Sequence, residues 1–528
     1  MIIEMPMQRS KIQIIVLLFL ISMYTTAQEG ILDPNFGYQG TRKFECVDKD
    51  SRAIEMLLLD DNSMILAVNS EIRVNGAVQN RGFYIFKISG DGTIINDFGI
   101  NGSLYFPNNN NERSSISTML LQPDGKIVIK AVIEAESKLM RIFQDGTFDN
   151  SFGNGGIQDI EGGYAIGLQS TGKIIVQSQY FDGYNNMYSF SRRNTDGSLD
   201  TTFGVNGTQV TDVTTYRFDL CFTIKIDALD RILAAGASYN NGDDYHPVIT
   251  RFNENGSLDT SFANNGTLIT TFGPNSNLGE VNDIALFNES ILLGGNYQYQ
   301  GGTGGFGGIK PAVAKLNNDG TMDHSFGRQG RVIMNTYYNA NDRLRSIAVQ
   351  RDGKILLGGG ASFPYPYSQT DFFVSKLNED GSIYSPFGQN GIFIIRFNGS
   401  DFNYVTDVAL LPDNKVMVFG NTTDENHEFR NAIICRLENE YLNTEEFLIE
   451  TKVVVFPNPT TEILQIQSSS LISRIELYNV LGQLLDSQTF DNFQENIEYN
   501  MQRFSNGIYI VLIHSDNKSI TSKKVLKQ

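Results

Sequence analysis

Four histidines, His246, His324, His427 and His514, are the first residues to test for chemistry in this chain of 528. They are scattered, and no two stand at a spacing that brings side chains onto one metal ion. The three cysteines, Cys46, Cys221 and Cys435, are too few for a disulfide scaffold. Neither a Gly-x-Ser-x-Gly nucleophile turn nor a Gly-Lys-Ser/Thr phosphate loop occurs. The run from Gly301 to Gly308 is rich in glycine but follows no strand-to-helix pattern, so it reads as a loop. Recurrent Asp-Gly turns could gather oxygens around calcium, with Asp196/Asp200 and Asp319/Asp323 the best-spaced pairs. They lack the dense Asp/Asn ladder of a calcium loop, and each Asp before Gly reads as an Asx turn. No catalytic residue, cofactor or metal ligand is assigned, and the chain is not expected to be an enzyme.

Those turns belong to a repeat. The pairs Phe36-Gly37, Phe98-Gly99, Phe152-Gly153, Phe203-Gly204, Phe262-Ala263, Phe326-Gly327 and Phe387-Gly388 recur at intervals of 51 to 64 residues. Six of the seven follow an Asp-Gly or Asn-Gly, as in Asp196-Gly197-Ser198-Leu199-Asp200-Thr201-Thr202-Phe203. The first is read as Ile31-Leu32-Asp33-Pro34-Asn35-Phe36. The Phe is expected to fill a seam between repeats, worth about 1.5–3 kcal/mol each, and the Gly to supply a positive φ. Between these motifs lie apolar runs split by a turn, clearest around Pro123-Asp124-Gly125-Lys126, Arg351-Asp352-Gly353-Lys354 and Pro412-Asp413-Asn414-Lys415. Such turns between apolar runs signal hairpins.

A hairpin, a third strand, the Phe-Gly loop and a fourth strand make a four-stranded unit of about sixty residues, the size of a propeller blade. The first Phe-Gly precedes any hairpin, and the last third strand, near Ile433–Leu437, has no Phe-Gly after it. Ring closure accounts for both: the strand after Phe36-Gly37, at Thr41–Val47, completes the last blade and removes an open sheet edge. The fold class expected is all-β: a seven-bladed β-propeller closed by an N-terminal strand, followed by a small C-terminal β-sandwich. Cys46 and Cys435 fall on the two closing strands. A bridge between them is left open, since the inferred register does not place them opposite one another and a disulfide needs close Cα atoms.

Arg9 and Lys11 precede an apolar run, Ile12–Met23, and then Thr25-Thr26-Ala27. The run is too short to span a bilayer and reads as a secretory signal over residues 1–27. The propeller is assigned to 28–440, an acidic linker to 441–451 and the C-terminal domain to 452–528. Net charge is −18, which repels phosphate backbones and excludes nucleic acid as a partner. No later stretch could cross a membrane as a helix.

The repeat resembles the delta-60 repeat, a propeller-like family of bacterial secreted and surface proteins, on the Asp-Gly-Ser-Leu-Asp-Thr-Ser-Phe-Gly and Gln-Pro-Asp-Gly-Lys-Ile elements. That family carries no established reaction, so the resemblance implies fold alone. The Asp-Gly turns also resemble sialidase Asp-boxes, but those end in Thr-Trp and this chain has no Trp. The C-terminal segment carries Pro457-Asn458-Pro459, Tyr478-Asn479-Val480-Leu481-Gly482, Ser505-Asn506-Gly507-Ile508-Tyr509 and a closing Lys523-Lys524-Val525-Leu526-Lys527. In this order the motifs resemble the type A sorting domain of the type IX secretion system of Bacteroidetes. The resemblance implies export by that machinery, tag removal, and release or anchoring at the outer membrane. The expected function is non-catalytic binding or adhesion to an extracellular glycan or protein. The ligand would be met by loops such as Phe363–Ser368 and Tyr297–Gly308. A hydrolase or lyase at the central channel is the alternative, weakened because inner stretches such as Ser346–Val349 and Ala409–Leu411 look apolar or small. A surface-layer component, recognisable by self-assembly, is a third.

Overall fold

The structure, a computed structural model, describes residues 29–528 apart from 45, 47–49, 75–76, 108–113, 240–244, 274–277, 301–305, 337–340, 364–368, 398–399, 424–428, 440–452, 480–482 and 516–519. The expected signal, the linker, His427, Gly482, most of the glycine-rich run and nearly all of the 363–368 loop lie outside the described residues. The chain divides into two compact units, Met1–Tyr441 and Leu442–Gln528. Every regular element among the described residues is a strand.

In the first unit the described strands form seven antiparallel four-stranded meanders, called blades 1 to 7. Their first strands are Asp50–Leu58, Ser115–Leu121, Ala165–Leu168, Phe218–Ile226, Gly279–Phe287, Arg343–Val349 and Tyr404–Leu410. Each first strand touches that of the next blade, and the seventh touches the first, so the blades form a closed propeller ring with these strands innermost. The turn to the second strand carries a positive-φ residue in every blade: Asn62, Gly125, Gly172, Asp230, Asn288, Gly353 and Asn414. Such a φ suits the right-handed twist of the two strands, which is why Gly, Asn and Asp hold these positions.

Blade 7 takes its fourth strand from the N-terminus. Thr41–Phe44 pairs antiparallel with Arg430–Glu438, placing Thr41 opposite Cys435 and Phe44 opposite Ala432. Ile31–Leu32 extends the same strand, opposite Glu438 and Leu437. Cys46 and Cys435 are not bridged. Cys46 packs with Ala432 and Ile434, whereas Cys435 packs with Ile433 and Leu437 in another layer. Alternate strand residues face opposite sides of a sheet, so the two sulfurs lie on different faces of blade 7.

The core is a set of seven apolar layers, one in each seam between adjacent blades. Each layer receives one motif phenylalanine, and all seven rings are at most 1% exposed. A basic residue of the third strand lies over the ring: Arg141 on Phe152, Arg192 on Phe203, Arg251 on Phe262 and Arg436 on Phe36, at 4.5–5.1 Å. The same arginines pair with the motif aspartates Asp149, Asp200, Asp259 and Asp33 at 2.7–2.8 Å. Burial pushes the Asp149 carboxyl up, but Ser151 and Arg141 outweigh it and hold it at about 2.

The motif also stitches blade to blade. The backbone N–H of Gly37 donates to the Asp91 carbonyl, and Gly99 to Asp145, Gly153 to Asp196, Gly204 to Asn255, Ala263 to Asp319 and Gly327 to Asp380. The seventh bond runs from Gly388 to the carbonyl of Glu29, at 2.8 Å. Glu29-Gly30 is thus a seventh copy of the Asp-Gly element, which the motif read from Ile31 onward misses. Gly30, at φ +71°, fits against Phe387 as Gly92 fits against Phe36; a Cβ there would stand 3.1 Å from the ring and 2.7 Å from the Gly388 nitrogen. Blade 6 has Tyr384, and blade 1 Ile95, where the other five copies have the motif Asp. Glu29 supplies the missing carboxylate: it pairs with Lys376 at 2.7 Å, both side chains at most 4% exposed, and accepts from the Tyr384 hydroxyl.

The second unit is a five-stranded antiparallel arrangement. Ile463–Asn479 pairs with Leu484–Asn500 along its length. Val453–Phe456 pairs with its first half and Gly507–Ser515 with its second, with register shifts after Gln467. Leu464, Ile466, Ile475, Leu477, Tyr499 and Val511 fill its core. Ile520–Lys527 forms an outer strand on Gly507–Ser515.

Candidate functional site

The inner strands define a central cavity of about 550 Å³. Six of the seven carry a β-bulge, at Ile54, Ser117, Phe222, Asn282, Arg345 and Thr406. These six residues line the cavity together with the residue that follows each: Glu55, Thr118, Thr223, Asp283, Ser346 and Asp407. A bulge re-aims a side chain and interrupts the ladder. Here the carboxylates take up donors of the adjoining blade. Met56 N–H donates to Asp407 at 3.0 Å, Ile347 N–H to Asp283 at 3.0 Å, and Met119 N–H to Glu55. Ser346 continues the series by accepting from Val408 N–H at 3.2 Å, and its hydroxyl faces both Asp407 and Asp283. Further out, Asn69, Asn296 and Asn421 accept from Ile116, Leu344 and Ala53 N–H in the same blade-to-next-blade sense.

Charge therefore reaches the channel, contrary to the apolar look of the inner stretches. The repeat held the signal: in each of these strands the acid or hydroxyl stands five residues before the turn's first residue, as Asp407 does before Pro412 and Thr118 before Pro123. The acids lie deep in the ring yet keep partial contact with channel solvent, and Lys225 is exposed to it. Burial, then the nearby Asp407, push the Glu55 carboxyl up to about 7. Burial raises Asp407 to about 6, and burial also raises Asp283 against the pull of Lys225. Asp283, then Glu55 and Asp407, raise Lys225 against the partial desolvation of its place inside the ring. No three His, Cys, Asp or Glu among the described residues converge as a metal site.

A linkage effect follows. The folded chain binds a proton at Glu55 up to about 7, against an ordinary value of 4.5. Stability then falls as pH rises from 4.5 to 7 and stays at the lower level above. Glu55→Gln keeps an acceptor for Met119 N–H and removes this slope. It should be more stable than the parent by about 1–3 kcal/mol at pH 8 and gain nothing at pH 4, as read from urea midpoints across that range.

The two ends of the ring differ. At one end the first-to-second-strand turns and the Phe-Gly loops are spent on the repeated seam bonds. In the Asp-Gly elements Thr93, Thr147, Ser198, Ser257, Thr321 and Ser382 N–H groups donate to the Asp or Asn two residues earlier, as Asx turns. Asp196/Asp200 and Asp319/Asp323 are not shared sites: Asp200 pairs with Arg192 and Lys173, and Asp323 with Lys315. The opposite end collects the second-to-third-strand turns and the loops entering each inner strand. There Tyr164, Tyr180, Phe181, Tyr184, Tyr245 and Phe402 are exposed. His246 stacks on Tyr216 at 4.9 Å. Tyr297, in a loop expected to meet ligand, is buried in the seam between blades 4 and 5.

In the second unit, Asn458 bonds the final strand on both sides, donating to the Lys524 carbonyl and accepting from Leu526 N–H, each at 2.8 Å. Thr460 N–H donates to the Leu526 carbonyl, and the Tyr509 hydroxyl donates to the Ser505 carbonyl at 2.6 Å. Lys523 is half-buried and Lys524 exposed on that outer strand. Pro457 and Pro459 flank Asn458, and Gly507 opens the strand opposite Lys527. Residues 454–528 match the family described as a secretion system C-terminal sorting domain. Residues 122–152, 230–262, 290–326 and 350–383 match a domain of unknown function (DUF5122) described as a beta-propeller. The chain is a β-propeller protein with a type IX sorting domain. The sorting domain makes this propeller a secreted or cell-surface protein that engages the type IX machinery. No curated protein matches it. Among solved structures, Drosophila Semaphorin 2a is 9% identical, with 95% of this chain and 99% of that chain covered and a TM-score of 0.42. The polysaccharide lyase Uly1 is 8% identical, with 77% and 92% covered and a TM-score of 0.45. A virginiamycin B lyase from Staphylococcus aureus is 10% identical, with 75% and 98% covered and a TM-score of 0.37. These likenesses carry no functional argument.

Proposed function

We propose that this secreted propeller is a non-catalytic binding or adhesion module, and that its ligand sits at the end where the second-to-third-strand turns gather. The observation that supports this is the inequality of the two ends. One is occupied by repeated seam bonds and exposes single side chains at a repeated position, such as Tyr38, Ile100 and Val205, and the other exposes large rings on loops that do not repeat. Loops held on a rigid scaffold are where binding residues concentrate, and exposed aromatic patches mark contact surfaces.

The test is an array of glycans and extracellular proteins probed with the full mature chain. Binding should be weakened by Tyr180→Ala with Phe181→Ala and unchanged by Glu55→Gln. Turnover of a glycan or lactone abolished by one channel substitution would overturn the reading. A specific observation favours that second reading, a hydrolase or lyase at the channel: Glu55 titrates near neutrality beside Asp407 in a cavity large enough for a small ligand. It ranks second because the channel acids already serve as acceptors for neighbouring N–H groups.

A further inference from the structure

Blades 3 and 4 meet at the loop end through a single parallel bridge between Asn186 and Phe218. Around it side chains from three separated segments form one continuous stack. The Arg217 guanidinium lies 4.6 Å from the Tyr184 ring centre and 5.0 Å from that of Phe218. Phe218 stacks on Tyr239 at 4.9 Å with planes 19° apart, and Tyr239 stacks on Tyr245 at 4.4 Å with planes 28° apart. The two ends of the stack stand in solvent, Tyr184 at 65% exposure and Tyr245 at 39%, and Phe181 adds a further ring at 55%.

A stack that served only to join the blades would be expected inside the seam, where Tyr188, Phe190, Phe203 and Phe252 already do that work. This one crosses the seam at the surface. Its backbone support is independent of any ligand: the Asp182 carboxylate accepts from Tyr184 and Asn185 N–H at 2.7 and 2.6 Å, and Arg217 Nε donates to the Tyr184 carbonyl at 2.8 Å. The rings are therefore held in place before anything binds, which lowers the ordering cost of binding.

Building on the binding reading above, we infer that the Tyr184–Arg217–Phe218–Tyr239–Tyr245 stack is a subsite for a neutral saccharide chain. Pyranose rings present flat C–H faces and peripheral hydroxyls. The inner rings are covered by one another, and the exposed Tyr184, Tyr245 and Phe181 offer ring surface, with tyrosine hydroxyls and the Asp182 carboxylate beside it, which match both. Tyr and Arg are also the residues that anchor protein partners, so the experiment below separates a protein ligand from a saccharide. The chain's net charge of −18 opposes polyanionic glycans, and the one cation in the stack is sandwiched between two rings rather than displayed.

The experiment is affinity electrophoresis of the full mature protein in gels containing soluble neutral polysaccharides (a β-glucan, a mannan, a xylan) or anionic alginate. Retardation is expected with at least one neutral polymer. The Tyr184→Ala, Tyr245→Ala double variant should bind at least about tenfold more weakly, while Tyr184→Phe with Tyr245→Phe retains most of the retardation. Because both residues are surface-exposed, unfolding is checked by unchanged urea midpoints. Retardation by alginate alone, or retardation by a neutral polymer that the double Ala variant leaves intact, overturns the subsite. A protein hit on the array that Tyr184→Ala leaves unchanged, with no neutral polymer bound, overturns the subsite and leaves the binding module standing. Turnover abolished at the channel sinks the binding module itself.

Discussion

Glu29→Ala in the mature chain should cost about 3–5 kcal/mol, because it strips one partner from a buried ion pair. Lys376 is 2% exposed and keeps the Asn439 oxygens, the Tyr384 and Phe387 rings and the more distant Asp352 as partial compensation. Desolvation already lowers the Lys376 pKa, with Glu29 opposing that shift, so removing Glu29 removes the main support for its charge. The damage should be local first. Hydrogen exchange should accelerate at Thr41–Phe44 and Arg430–Glu438, whose pairing closes the ring, while the Arg141–Asp149 seam stays protected. Glu29→Met combined with Lys376→Met should recover most of the loss, since two apolar side chains leave no unpaired charge. Equal protection at both seams in the single variant would show that the ring does not depend on this N-terminal copy.

Phe203→Ala should be comparably destabilising, at about 3–5 kcal/mol. The ring is fully buried in the layer between blades 3 and 4. Arg192 lies over it at 5.0 Å, and a Cβ at Gly256 of the next blade would stand 2.5 Å from it. The ring fills the space beside Gly256, which has no side chain of its own to take its place, so a cavity remains. Phe203→Leu should cost less, because it leaves a smaller void. Urea unfolding of both variants measures the difference. In an array with nearest-neighbour coupling the loss reads as one weakened interface; in a closed ring it also relieves the constraint on the remaining six, so the unfolding transition should broaden. A sharp transition with an unchanged midpoint would show that the motif phenylalanine is not a seam element.

Much of the fold is legible in the residues. Asp124-Gly125 and Asp352-Gly353 between apolar runs demand hairpins because the turn needs a positive φ that Gly meets without strain. A phenylalanine recurring with its Gly sets the period, and a period near sixty with four strands leaves few architectures other than a propeller. The sorting domain is equally readable, because Pro457-Asn458-Pro459 and Gly507-Ile508-Tyr509 are local motifs. The candidate site was less accessible. The inner strands look apolar at stretches such as Ala409–Leu411 because the acid, here Asp407, lies just before the stretch and directly after the bulge residue, where one extra residue breaks the alternation that a strand reading relies on.

The sequence by itself determined the repeat, its hairpins, the closure by an N-terminal strand and the sorting domain, since each rests on short-range spacing and turn chemistry. Only the tertiary structure decided what lies far apart in the chain but close in the ring. It showed that Glu29-Gly30 is a seventh seam element, and that its carboxylate replaces the aspartate missing at Tyr384, about 355 residues away. It brought Glu55, Asp283, Asp407 and Lys225 to one channel and set Tyr184, Arg217, Phe218, Tyr239 and Tyr245 in one stack. The physical reason is the same in each case. A propeller places equivalent positions of successive blades side by side, so its seams and its surfaces are made of residues that no local pattern connects.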